Sequence, residues 1–304
     1  MESIAGRYAP SPTGDLHLGN LRTALLAWLQ ARLQGGEFYL RIEDLDTPRV
    51  VAGSTEQLIA DLTWLGIDWD GAVLYQSKRH PHYQAILDDL ERRQLTYPCF
   101  CSRKELREAI SAPHGATPVY PGTCAALSAE VRESKSKTKL PATRLRVVDQ
   151  VIQFDDLLQG RQSEHLPSDV GDFVVMRADG LFAYQLAVVV DDLDQGITDV
   201  VRGADLLGST ARQLYLAKLI APSGNPIRYW HVPLVNDESG ERMAKRDGSY
   251  SASQWQKSGR TAEQLVGEFA HQLGFIEQVK SLSAGELAQH LTLARFQQAL
   301  ALRN

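Results

Sequence analysis

The residues best suited to chemistry begin between Arg7 and Leu25, in the run RYAPSPTGDLHLGNLRTAL. Pro10, Pro12 and Gly14 interrupt regular hydrogen bonding and set a loop. Ahead of it, Ile4 to Ala9 can close a strand. From Leu18 a helix begins, with Leu21, Leu25, Trp28 and Leu29 spaced for one face. Strand, tight loop and helix N-terminus together make an anion site, because the first helical N–H groups lack partners and the helix dipole favours negative charge. His17 stands at that mouth and can donate to phosphate oxygens; Gly19 lets a nucleotide approach the backbone closely. A second set of groups is charged. Glu43 and Asp44 follow an alternating stretch, and Arg7 and Arg202 can pair with carboxylates through a planar fork. A third set holds sulfur: Cys99, Cys101 and Cys124, with His114 and Tyr120 between them. Three thiolates suit zinc but leave one of four tetrahedral positions open, and on chemistry alone His114 is the preferred fourth ligand.

These groups need a framework. A chain of 304 residues can bury a large core and suggests about two domains. Hydrophobic content of 43% with 23% charged residues describes a globular chain, and no apolar run reaches the roughly 20 residues a membrane helix needs. The N-terminus lacks a basic-then-apolar leader, so a cytoplasmic location and no membrane partner are expected. The net charge of −5 gives no global pull toward nucleic acid, so RNA contacts must be local. An odd cysteine count with a C-x-C pair points to metal rather than disulfides.

In order, Leu21–Leu33 reads as the first helix, ended by Gly35 and Gly36. Glu37–Glu43 alternates, with Phe38, Leu40 and Ile42 on one face and Tyr39, Arg41 and Glu43 on the other. Ser54 is expected to cap a helix with Gln57 in capping-box position. Pro81–Leu95 reads as an amphipathic helix and Val147–Phe154 as strands. Val188–Val190, ending in two acids, is expected to be a buried parallel strand. Arg132, Lys135, Lys137, Lys139, Arg144 and Arg146 form a basic stretch, read as a solvated loop or a phosphate-contacting patch. Tyr229–Val235 is a strand, and 251–304 is helical by pattern, with Leu265, Phe269 and Leu273 in step. From the residues alone the expectation is an ATP-using α/β enzyme with an acid-and-arginine pocket and a zinc insertion.

The 7–25 run resembles the "HIGH" region of class I aminoacyl-tRNA synthetases, in the form of the glutamyl and glutaminyl enzymes. Arg7, Ser11, Pro12, Thr13, Gly14, His17, Gly19, Arg22 and Thr23 match, with Asn20 in the fourth position of the tetrad. Further matches are RIEDLD at 41–46, where Leu45 replaces Thr, LGIDWDG at 65–71, Gln76, Ser77, Arg79 and Tyr83, and the runs at 171–192 and 196–207. GERMAKRDG at 240–248 resembles the "KMSKS" loop, with Arg242 for the first Lys and Ala244 for Ser. The cysteine spacing is similar to C-x-C…Y-x-x-x-C of the short glutamyl-tRNA-synthetase-like proteins that modify queuosine, which turns the choice of fourth ligand to Tyr120, with His114 as the rival.

The resemblance implies a Rossmann-type α/β catalytic domain, split over residues 1–98 and 182–235. It implies a zinc-containing insertion at 99–181, and a KMSKS-like loop and helical region at 236–304, without an anticodon-binding domain. It implies ATP-dependent activation of L-glutamate and transfer to queuosine in tRNA(Asp), by a monomer. Glutamate is implied to bind at Arg7, Ser11, Glu43, Tyr184 and Arg202, with Glu43 on its ammonium and Arg202 on its side-chain carboxylate. ATP is implied to bind at Pro10, Thr13, Gly14, His17, Gly19, Asn20, Gly203, Asp205, Arg242, Met243 and Lys245. His17, Lys245 and Mg²⁺ would neutralise charge in the transition state, and the zinc would be structural. The rival expectations are a minimal synthetase charging a tRNA 3′ end, a silent binding module and an unrelated nucleotidyltransferase.

Overall fold

The computed structural model describes residues 3–102, 104–105, 119–224, 227–234 and 251–301. Its first strands are short and parallel. β1 (Ala5–Tyr8), β2 (Glu37–Ile42) and β3 (Leu74–Tyr75) are linked through α1 (Leu18–Arg32) and α2 (Ser54–Trp64). β1 and β2 pair from Ala5 opposite Glu37 to Tyr8 opposite Leu40. After α3 (His80–Arg92) come β4 (Thr96–Cys99), α4 (Ala129–Ser136), β5 (Ala142–Leu145), a hairpin of β6 (Val151–Asp156) and β7 (Gly160–His165), and β8 (Phe173–Met176). The chain then returns through α5 (Tyr184–Asp194), β9 (Asp199–Gly203), α6 (Thr210–Ile220) and β10 (Arg228–Val232).

The main sheet has seven strands in the order β3-β2-β1-β9-β10-β6-β7. Strand order reverses between β1 and β9. Loops leaving neighbouring strands diverge at such a point and open a crevice at the carboxyl ends. β4, β5 and β8 form a separate antiparallel sheet of three strands. The β6–β7 hairpin belongs instead to the main sheet, where Asp156 pairs with Tyr229 of β10. Residues that the sequence reading assigns to the insertion thus complete one edge of the main sheet.

α1 is apolar on nearly all sides, and the structure gives the reason. The sheet covers one flank. The C-terminal helices α7 (Ala252–Lys257), α8 (Ala262–Gln272), α9 (Ala284–His290) and α10 (Leu293–Ala301) complete the core on this side. Leu21, Leu25 and Leu29 share one cluster with Phe38, Leu40, Leu265, Phe269, Leu287 and Phe296. Each fully buried leucine contributes about 1.5–3 kcal/mol. Capping boxes at Ser251, Thr261 and Ser283 fix the starts of α7, α8 and α9. A second cluster joins α3, α5 and α6 through Leu87, Leu186, Val189 and Leu216.

Two expectations are corrected. Val188–Val190 lies in α5, not in a strand. A short apolar run reads alike in a buried strand and a buried helix, and α5 is buried from Leu186 through Asp192. Ser54 is not the cap of α2: Gly53, at φ +79°, holds that position. The Ser54 hydroxyl instead lies 2.7 Å from the Pro12 carbonyl and 2.6 Å from that of Val51, and ties the helix start to the proline loop.

Candidate active site

The loop after β1 wraps the mouth of α1. Gly14 turns it at φ +117°, a conformation that other residues adopt only with strain. Backbone bonds hold it from outside: Glu43 N–H donates to the Pro10 carbonyl at 2.9 Å, and Val51 N–H to that of Pro12 at 3.0 Å. His17 is the N-cap of α1, its Nδ1 accepting from the Asn20 N–H at 3.2 Å. That bond sets the tautomer. With Nδ1 an acceptor, a neutral ring carries its proton on Nε2, so Nε2 is a donor.

A cleft of about 500 Å³ opens here, at the switch point between β1 and β9. Its wall brings together every candidate glutamate and ATP residue that is described. Arg7, Pro10, Ser11, Thr13, Gly14, His17, Gly19 and Asn20 come from β1, its loop and α1; Glu43 comes from the end of β2. Tyr184, Arg202, Gly203 and Asp205 come from the other side. A Cβ at Gly203 would stand 2.6 Å from Asp205 Oδ1, so a larger residue there would displace the Asp205 side chain. Arg242, Met243 and Lys245 lie outside the described residues, as does His114.

Beneath the cleft is a charge cluster. Arg41, on the polar face of β2, is fully buried under α5. It donates to Asp192 Oδ1 at 2.7 Å and lies 3.6 Å from Glu43 and 3.7 Å from Asp191. Arg7 Nε donates to the same Asp192 oxygen at 3.3 Å. Gln76, Arg79 and Tyr83 all donate to Asp191. Burial would raise Asp192, but Arg41 and Arg7 hold its carboxyl below the usual carboxylate range. Burial pushes Glu43 up to about 7 against the pull of Arg41 and Arg7. None of Arg41, Asp191 or Asp192 is a candidate from sequence. The available signal was a charged residue alternating with a strand's core face, together with two adjacent acids after an apolar run.

Arg202, only 5% exposed, is held differently. Its Nε donates to His231 Nε2 at 2.9 Å, one terminal nitrogen to Gln213 Oε1 at 2.7 Å, and the other to Thr210 Oγ1 at 2.8 Å. Its guanidinium also lies 5.0 Å from the centre of the Tyr229 ring. Among the described residues no carboxylate lies within ion-pair distance of it. A buried cation with only neutral partners can receive an anion. Tyr184 lines the same wall, its hydroxyl pKa raised by burial.

The three cysteine sulfurs lie within 4.8 Å of one another. The Tyr120 hydroxyl lies 3.5 Å from Cys99 Sγ and 3.6 Å from Cys101 Sγ. Zinc–sulfur bonds of about 2.3 Å at tetrahedral angles put sulfurs roughly 3.8 Å apart, so the set fits such an ion. Burial, together with Cys124 and Cys99 beside it, pushes the Cys101 thiol up to about 11; a cation between the sulfurs would reverse that. Arg144 stacks on the Tyr120 ring at 3.8 Å and donates to Cys99 Sγ at 3.3 Å. Much of the basic stretch is committed internally, Arg132 and Arg146 to the Ala125 carbonyl and Lys139 to that of Phe100.

Comparison with known proteins adds to this geometry. The family model for tRNA synthetases class I (E and Q), catalytic domain, matches residues 3–299. A glutamyl-Q tRNA(Asp) synthetase of Nocardia farcinica is 50% identical over 89% of this chain and 85% of its own length. One of Symbiobacterium thermophilum is 45% identical over 96% of this chain and 93% of its own. The glutamate-tRNA synthetase of Elizabethkingia anophelis superposes with a TM-score of 0.82 at 26% identity, over 97% of this chain. The chain spans 66% of the length of that solved synthetase.

Proposed function

We infer the function from the family to which the chain belongs, the class I tRNA synthetases for glutamate and glutamine. It activates L-glutamate with ATP and passes the glutamyl group to the queuosine base at the wobble position of tRNA(Asp). The observation that carries this reading is Arg202, a buried guanidinium on the cleft wall whose partners among the described residues are all neutral. It suits a side-chain carboxylate and would be left unpaired by a neutral amide.

A glutamate carboxylate oxygen attacks the α-phosphorus of ATP in line, the bond to the bridging oxygen breaks, and pyrophosphate leaves. The residues supply position and charge rather than a covalent intermediate. Arg202 takes the side-chain carboxylate, Glu43 the ammonium, and Arg7 lies beside the reacting end. The α1 N-terminus and the Nε2 donor of His17 meet the phosphates. Lys245 takes charge on the departing pyrophosphate. Mg²⁺ enters with ATP as the counter-ion of its phosphates. Cys99, Cys101, Tyr120 and Cys124 would hold a structural zinc, which would tie the ends of the loop between them together and commit all three thiols. The reading includes a cytoplasmic monomer, with catalytic segments 1–98 and 182–235 completed by the β6–β7 hairpin, the rest of 99–181 as the zinc-holding insertion, and 236–304 carrying the second motif.

Transfer of labelled glutamate tests this, with ATP and tRNA(Asp) carrying queuosine, tRNA(Asp) without it, or tRNA(Glu). Label on the first alone is expected. Label on the 3′ end of tRNA(Glu) would mean a minimal synthetase instead, and no label without adenylate would remove the enzyme reading.

A further inference from the structure

We propose that Asp156 and His231 are positioning residues for Arg202, and that the imidazole tautomer they fix sets the preference for glutamate over glutamine. This rests on the glutamate reading above.

Asp156 lies in the β6–β7 hairpin, 75 residues before His231 in sequence. Its carboxylate accepts from the backbone N–H groups of Leu158 at 3.0 Å and Gln159 at 2.8 Å. The His231 N–H also lies 3.3 Å from each of its oxygens. Surrounded by donors, the carboxylate is ionised, and it stands 2.6 Å from His231 Nδ1. Nδ1 therefore carries the proton. The ring is fully buried, and burial, with the Arg202 charge, holds it below the usual imidazole range against the pull of Asp156. The neutral ring presents its lone pair at Nε2, where the Arg202 Nε–H donates at 2.9 Å. Tyr229 stacks on the other side, ring centres 5.9 Å apart.

The opposite tautomer fails here. An Nε2–H would face the Arg202 Nε–H, two donors at hydrogen-bond distance, with only the Thr210 hydroxyl, 3.3 Å away, left to accept it, and the guanidinium would turn away from its present fork. Gln213 and Thr210 could then no longer hold the same two terminal nitrogens. The negative charge of Asp156 thus reaches Arg202 only through a neutral ring. The arginine is oriented without being neutralised, and its charge stays available to an anionic side chain.

Asp156→Asn tests this. The Asn side-chain oxygen can still accept from Leu158 and Gln159, while its amide N–H₂ faces His231 Nδ1 and donates, forcing the proton to Nε2. A comparable carboxylate-to-amide change at a catalytic histidine acts through the wrong tautomer. Expected are a rise in KM for glutamate of roughly 10- to 100-fold, the loss of a hydrogen bond to a charged group, with kcat less affected. The KM for ATP should be unchanged, and the glutamate-to-glutamine preference lower. ¹⁵N spectra of histidine-labelled protein should show His231 moving from the Nδ1–H to the Nε2–H form. A switched tautomer with unchanged glutamate KM would overturn the proposal. His231→Gln, which restores an acceptor oxygen, should stay near wild type while His231→Phe loses affinity; equal losses would also overturn it, even if Asp156→Asn does not fold. Pyrophosphate exchange by wild type keeps the two readings apart. Exchange without glutamate dependence removes the glutamate reading and the specificity claim with it. A glutamate-dependent wild type with unaltered variants removes the positioning claim alone.

Discussion

Arg41 beneath the cleft and Arg202 on its wall are both buried, on strands separated only by β1, yet their surroundings are opposite. Arg41 sits among Asp192, Asp191 and Glu43. Arg202 sits among an imidazole, an amide oxygen and a hydroxyl. Burial of a cation costs several kcal/mol unless charge or hydrogen bonds compensate. Around Arg41 the chain supplies the compensating charge itself, so that cluster is framework. Around Arg202 the described residues supply orientation but no opposite charge, so that site suits an anion. The same residue type serves structure in one place and recognition in the other, and the neighbouring groups decide which.

Substitutions can break this contrast. The largest effect is expected from Arg41→Met, which leaves Asp192 and Glu43 buried beside fewer cations. It should destabilise the fold by about 3–5 kcal/mol, read by urea unfolding; a loss below about 1 kcal/mol would mean the cluster is not framework. Arg202→Ala should do the reverse. Stability changes little, while kcat/KM for glutamate in pyrophosphate exchange falls by more than about 100-fold, roughly 3 kcal/mol of lost charge-assisted binding.

Glu43 joins the two regions, and pH sharpens the comparison. Its pKa, raised to about 7, means the folded chain binds more protons than the unfolded one between the ordinary glutamate value and 7. Stability from this group is therefore fully present at low pH and is lost as pH rises through that window, by at most about 1.4 kcal/mol per unit. Glutamate KM should move the other way, improving as Glu43 ionises toward and above about 7 and can hold an ammonium. Glu43→Gln should flatten both profiles; a wild-type KM that stays level from pH 6 to 8 would count against the role.

Arg144 is the intermediate case, a buried arginine facing a sulfur, a phenol ring and the Asp172 backbone carbonyl at 2.6 Å. Arg144→Gln should speed release of bound zinc to a chelator by about 10-fold, the cost typical of removing an outer support of a metal ligand. Release at the wild-type rate would leave Arg144 as packing alone.

Local chemistry made much of this legible. The β1–loop–α1 unit, β2 and the helical C-terminus follow from proline and glycine positions and from apolar periodicity, which are properties of neighbouring residues. The candidate residues in the cleft were also legible, because long motifs survive as strings. The cysteines were readable as a spacing, and Tyr120 beside them only through the family pattern that the spacing resembles.

Other features depend on which elements pack together. Val188–Val190 reads as a strand from its composition, and only burial between other elements makes it a helix. Ser54 carries the letters of a cap, but the nearby Pro12 carbonyl takes its hydroxyl. Arg41 and Asp192, or Asp156 and His231, are distant in the chain and carry no local pattern; the sheet order brings them within hydrogen-bond reach. Sequence alone determined most of the elements and which residues of the cleft wall could do chemistry, since those depend on near neighbours. Tertiary structure alone decided which charges are neutralised and which tautomer His231 holds, since electrostatics in a buried site depends on whatever lies within a few ångströms, however far away it stands in the chain.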